Sequence, residues 1–169
     1  MIEITTARLK LIPCSAEVAQ AALDDRASLE KRLGARVPAD WPAPDLRDFL
    51  PVYAKLVDTE AMLRGWGIWL ILLPAERSLI GDIGFKGPPD GYGVVEIGYS
   101  VLPAYQRRGY AGEAARALVR WAFAQPGVRR VIAECHEDNV ASIRVLEKLG
   151  MRRIGQDRDM LKWQVTGES

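Results

Sequence analysis

The run Gln106-Arg107-Arg108-Gly109-Tyr110-Ala111-Gly112 sets two arginines and two glycines in front of an alanine-rich amphipathic stretch. A helix that starts there has first-turn N–H groups without partners, and the positive end of its dipole points the same way. Glycine at 109 lets backbone come close to a ligand, while Ala111 and Gly112 keep side-chain bulk away. Gln106, Arg107 and Arg108 can add donors or charge. Several converging amides suit a diphosphate better than a lone carboxylate. The plain alternative is a glycine turn that only starts a helix. The Walker A pattern and the dinucleotide pattern GxGxxG are both absent, so the phosphate belongs to another kind of carrier.

The elements that must position this loop can be read from periodicity. Segment 6–13 alternates and reads as a strand, and Ser15 caps a helix that runs to about Leu33. A loop with three prolines and Trp41 follows, then a helix from about Asp45 to Leu63. Segments 66–74 and 78–87 form a hairpin, and 94–102 adds a third strand. The chain continues as a helix from about Gly109 to Gln125, with Ala115, Leu118, Val119, Ala122 and Phe123 as its core stripe. A strand at 129–137 and a helix at 139–149, closed by Gly150, come next. Strands near 151–156 and 159–165 finish the chain. The expected fold class is α/β (α+β): one mixed, mostly antiparallel sheet of about seven strands with helices on both faces, and one domain over 1–169.

Composition excludes several functions. Lysine and arginine number 23 against 22 acids, a net charge of +1, so no overall field draws the chain to nucleic acid. Cys14, Cys135 and a single histidine offer no zinc spacing, so no metal is expected. The charged N-terminus does not read as a signal peptide, and the apolar runs are too short to span a bilayer. A cytoplasmic location is the expectation.

Three stretches together resemble a known family. "EIGYSVLPAYQRRGYAGEAARALVRWAF" is similar to the acyl-CoA-binding segment of the GNAT superfamily of N-acyltransferases, with Gln106, Gly109 and Ala111 matching its hallmark. "DNVASIRVLEKLGM" resembles the family's second signature, and "TARLKLIP" the opening of the branch related to ribosomal-protein N-terminal acetyltransferases. The resemblance covers nearly the whole chain. It implies an acetyl-CoA-dependent enzyme that moves acetyl to a primary amine, of a small molecule or a peptide N-terminus, by direct attack in a ternary complex.

It also implies site residues. Strand 94–102 should splay from 129–137, so that pantetheine bonds to backbone near Val101 and Leu102. The pyrophosphate should sit on the amides of Arg107, Arg108, Gly109, Tyr110, Ala111 and Gly112. Asn139 matches a residue that contacts the pantetheine arm, although an N-cap is the alternative. Ser142 could face the thiol, or be an ordinary helix serine. Many family members carry a tyrosine where this chain has Leu146, and that tyrosine protonates the departing thiolate. Here the step falls to Ser142, to a water, or to no particular group, since a thiolate is already a tolerable leaving group near neutral pH.

The attacking amine must be neutral, which requires a base. Glu96 is the candidate, placed by alternation on the face opposite Tyr99 and Val101; its alternative is a cross-strand salt bridge. His136 reads as a solvated strand end, and Lys86 lies in a turn near the acceptor side. Trp41 could wall the acceptor pocket or simply pack. Terminal strands of such sheets often pair, so a homodimer is compatible with the pattern. The rival function is an acyl-CoA-binding sensor without transferase activity.

Overall fold

The computed structural model describes residues 2–57 and 65–167. Among these the elements run β1 (Ile4–Thr5), β2 (Lys10–Pro13), α1 (Ala16–Asp24), α2 (Arg26–Leu33), α3 (Pro44–Leu56), β3 (Ile68–Leu73), β4 (Ser78–Phe85), β5 (Val94–Val101), α4 (Tyr110–Phe123), β6 (Arg130–His136), α5 (Val140–Lys148), β7 (Arg152–Asp157) and β8 (Met160–Thr166). The strands form one sheet in the order β1-β2-β3-β4-β5-β6-β8-β7. Only β5 and β6 run parallel; every other neighbour is antiparallel.

The fold class is as expected, with eight strands where about seven were read. The extra strand comes from the opening segment, which is a hairpin and not one strand. The Thr6 amide donates to the Leu9 carbonyl at 2.9 Å and the Thr6 hydroxyl accepts from the Leu9 amide at 3.0 Å, turning the chain between β1 and β2. Alternation alone cannot reveal such a local side-chain competitor. The first helix is likewise broken. Asp25 ends α1 in extended geometry, φ −153°, and its carboxylate caps α2 by accepting from the Ser28 amide. The final turns read for α3, up to Leu63, lie outside the described residues.

Register assigns every strand residue to a face, because directly paired residues project to the same side. Tyr99 bonds to Ser142 of α5, so Val95, Ile97, Tyr99 and Val101 look toward α4 and α5. The stripe of α4 is buried there through Ala114, Ala115, Leu118, Val119 and Ala122. Trp121 meets Trp66, Trp69 and Phe85 at centroid distances of 4.9, 5.4 and 6.0 Å. On the opposite face lie α1 to α3, with Tyr53 of α3 tied to the Cys14 carbonyl at 3.0 Å and the Ile68 amide at 3.2 Å. Strand β3 is apolar along its whole length because both its faces are covered. Beyond β5 that second face opens to solvent, with Gly98, Glu134 and His136 all exposed.

Candidate active site

Strands β5 and β6 are joined only by the pairs Val94–Arg130, Val95–Val131 and Glu96–Ile132. Past that point Ile97–Val101 and Ala133–His136 diverge, leaving two strand edges with unshared N–H and C=O groups facing a cleft. An extended chain carrying amides can hydrogen-bond to such edges as an added strand does. The splay therefore exists as expected, and Val101 stands at its wide end.

The loop between β5 and α4 closes that end. After Leu102, Pro103–Tyr105 form one turn of 3-10 helix, and Gln106 reaches back to donate from Nε2 to the Val101 carbonyl at 2.8 Å. Arg107 (φ 64°) and Gly109 (φ 82°) take left-handed geometry, a costly choice for the arginine. The first intrahelical bond of α4 is Glu113 N–H to the Gly109 carbonyl, at 3.1 Å. The amides of Tyr110, Ala111 and Gly112 thus have no partner among the described residues, and nothing lies within 4 Å of where a Gly112 Cβ would be.

The first turn of the chain braces this loop from behind. Glu113 accepts from the Thr6 hydroxyl at 2.6 Å, the Arg8 amide at 3.0 Å and Arg8 Nε at 2.9 Å. Arg8 also donates to the Arg108 carbonyl at 2.9 Å and lies 4.4 Å from the Tyr110 ring centroid. Partial burial raises the Glu113 pKa, but these hydrogen bonds outweigh it and hold the carboxyl below the usual glutamate range. Arg108 itself is half-exposed, 3.6 Å from Glu76.

On the helical side of the cleft, Asn139 caps α5 by accepting from the Ser142 amide at 3.1 Å. Ser142 Oγ is 2.7 Å from Tyr99 Oη, so two hydroxyls link β5 to α5 across the cleft. Burial raises the Tyr99 pKa; the Ser142 bond lowers it less, and the nearby Cys135 raises it further. Sequence reasoning used Tyr99 only as a marker of strand face. Its role as Ser142's partner comes from packing. Leu146, in the next turn of α5, is fully buried core.

On the acceptor side the structure separates residues that sequence reasoning had grouped. Glu96 is ion-paired to Lys86 at 2.5 Å with its side chain 22% exposed, the cross-strand bridge noted as its alternative. Trp41 is 1% exposed and therefore packs inside the loop, presenting almost no surface as a wall. Its indole N–H instead donates to Asp82 Oδ2 at 3.0 Å. Asp82, in the second strand of the predicted hairpin, was not singled out by its sequence. Burial pushes its carboxyl up to about 6, against the lowering effect of the Trp41 bond. His136 lies 3.4 Å from Asp159 with both side chains largely exposed, a solvated strand end. No group of three or more possible metal ligands occurs among the described residues.

A family model described as an acetyltransferase (GNAT) domain matches residues 8–152. The chain belongs to the GNAT acetyltransferases. A Bacillus subtilis relative, the uncharacterized N-acetyltransferase YjdG, is 32% identical over 150 residues, covering 89% of both chains. Among solved structures, a GNAT-family acetyltransferase from Bacillus anthracis superposes with TM-score 0.66 at 24% identity, covering 98% of each chain. RimL, a ribosomal-protein alpha-N-protein acetyltransferase solved in complex with coenzyme A, gives 0.70 at 19%, again covering 98% of each. This GNAT chain is thus an acetyl-CoA-dependent N-acetyltransferase acting on amines, and nothing in these likenesses supports a sensor without transferase activity. The residues present fit acetyl-CoA: unshared strand edges for the pantetheine amides, and free amides over an open Gly112 for the diphosphate.

Proposed function

We propose that the enzyme acetylates a primary amine by direct attack within a ternary complex, in a single domain over 1–169. The observation that carries this reading is the β5–β6 splay, whose wide end opens directly onto the unpartnered amides of α4. Val101 and Leu102 would hold the pantetheine arm through backbone, with Asn139 at its side. The amides of Arg107, Arg108, Gly109, Tyr110, Ala111 and Gly112 would hold the diphosphate, and the Gln106 bridge to Val101 keeps loop and strand end together. Bound acetyl-CoA supplies the activated acetyl group and a thiol leaving group.

The chain's own residues manage protons. Glu96, beside Lys86 at the apex of the splay, accepts the proton that the acceptor ammonium must lose, directly or through water. The neutral nitrogen then forms the N–C bond as the C–S bond breaks, its second proton leaving to water as the amide forms. Ser142, backed by the Tyr99 hydroxyl, gives the departing sulfur its proton, the task for which Leu146 has no donor. The proton that Ser142 passes to sulfur is replaced from solvent, for a net release of one proton.

Two measurements test the reading. Calorimetry should show coenzyme A binding to the wild type and a loss of at least about tenfold in Gly109→Val. That change places a branched side chain in left-handed geometry, 3.2 Å from Arg8 Nη2. Normal affinity in the variant refutes the anion site. An acetyl-CoA consumption screen over amine classes should find at least one acceptor; none, with coenzyme A still bound, refutes the transfer. A cytoplasmic location and a homodimer through the edge strand β7 complete the proposal, the latter checked by light scattering. A single-chain mass at all concentrations excludes that dimer.

A further inference from the structure

Of the carboxylates on this second face of the sheet, Glu96 pairs with Lys86 and Glu134 with Lys162, whereas Asp82, at the border of the covered part, has no cation among the described residues. Asp82 pairs with Ser100, and Gly84 with Gly98, across β4 and β5, so Asp82, Gly84, Ser100, Gly98 and Glu96 share a face. It is the face of Trp41, opposite Tyr99 and the α4–α5 layer. Gly98 leaves this part of the patch bare, whereas the place of a Gly84 Cβ is filled by the Gly67 carbonyl at 2.3 Å. Gly98 is exposed and nothing lies within 4 Å of the place of its Cβ. It is also among the first residues beyond the last β5–β6 pair, at the narrow end of the splay, where the cleft meets this face.

Glu96 has Lys86 as its partner. Asp82, by contrast, has one hydrogen bond, from the neutral Trp41 indole, and no ion pair among the described residues. A carboxylate largely out of water without a cation is an unfavourable arrangement that a protein ordinarily avoids. Cys14, the titratable group that feels the Asp82 charge, is itself pushed up to about 12 by burial and stays neutral, so it cannot compensate it. Among the described residues no cation reaches Asp82, so a positive group carried by a bound molecule would meet an unpaired carboxylate here. Trp41 fixes the oxygen that would receive it.

We propose that Asp82 is a specificity-determining residue of the acetyl-transfer site, binding a second positive charge of the acceptor while its reacting amine lies over Gly98. This rests on the acetyl-transfer reading above and deepens it: the preferred acceptors are amines carrying another cationic group. Gly98 and Asp82 are two residues and one strand apart, about 8 Å by strand geometry. A primary amine with a second ammonium at the end of a five-carbon chain spans that interval.

The test uses the coenzyme A-saturated enzyme and the probes 1,5-diaminopentane, n-pentylamine and 5-aminopentanoate. Calorimetry first establishes that wild type and Asp82→Asn bind coenzyme A equally, which isolates this proposal from the acetyl-transfer reading. The diamine should then raise the melting temperature of the wild-type complex and bind about tenfold or more tightly than pentylamine, with 5-aminopentanoate weaker still. Asp82→Asn, which keeps the acceptor oxygen for Trp41, should lose that preference. Where turnover is measurable, the loss should appear in KM for the diamine with KM for acetyl-CoA unchanged. A wild type without preference for the diamine, or a preference that survives Asp82→Asn, overturns the proposal, whether or not any probe is acetylated.

Discussion

Tyr99 and Ser142 face each other across the cleft at 2.7 Å, and burial keeps the phenol protonated well above neutral pH. Ser142 can give a proton to the departing sulfur most readily when the hydroxyl behind it is itself protonated, and the raised pKa keeps Tyr99 so throughout the neutral range. Tyr99→Phe should therefore lower kcat by about ten- to a hundredfold with little change in KM for acetyl-CoA. Wild type should show no falling alkaline limb near neutrality. An unchanged kcat in Tyr99→Phe removes the phenol from the proton path and leaves Ser142 or water as the donor. For Glu96, the glutamine variant should lower kcat with a deficit that shrinks as pH rises and the amine loses its own proton; a deficit constant with pH removes it as base. At this scale the sequence was legible where residue type and helix position suffice, as at Gly109 and Asn139. Asp82 and Tyr99 were not legible, because each acquires its chemistry from a partner far away in the chain, Trp41 and Ser142 respectively.

The β1–β2 turn and the first turn of α4 behave as one device, although some hundred residues separate Arg8 from Glu113. Glu113 is held ionised, and an anion in the first turn would repel a diphosphate seated on the same amides. Arg8 neutralises it and also grips the Arg108 carbonyl, shaping the loop. Arg8→Gln should thus weaken coenzyme A binding about three- to tenfold in calorimetry, with the acceptor KM unchanged. Arg8 is 43% exposed, so the change in melting temperature should be small. Glu113→Gln in the same chain should recover part of the affinity, since the uncompensated charge is then gone. No recovery reduces the pair to a purely geometric brace. Element types and order were legible from periodicity. The breaks were not, because Thr6 and Asp25 compete for backbone bonds through their own side chains. The splay, though implied by family resemblance, has no signature in periodicity: β5 keeps alternating after its pairing with β6 has stopped.

Across the whole molecule, one face of the sheet is sealed by α4 and α5 while the other is covered only as far as β4, and Asp82 sits at that border. The position has a consequence for global stability. An unfolded aspartate titrates near 3.8, whereas in the fold burial raises Asp82 to about 6. The folded state therefore holds the proton more tightly, and the associated stability is complete below about pH 3.8 and lost as pH rises through 6. A rise of that size corresponds to about 3 kcal/mol against the fold at neutral pH. Asp82→Asn carries no such penalty and keeps the Trp41 hydrogen bond. In urea unfolding at matched pH, the variant and wild type should have equal stability near pH 4. The variant should gain between pH 4 and 6, and be more stable by about 2–3 kcal/mol at pH 7.5. Other carboxylates titrate alike in both proteins and cancel in the difference. A variant less stable than wild type at pH 7.5 would mean that Asp82 is already compensated within the fold. The expected gain would instead mark a carboxylate maintained at a cost to stability, as groups retained for binding commonly are.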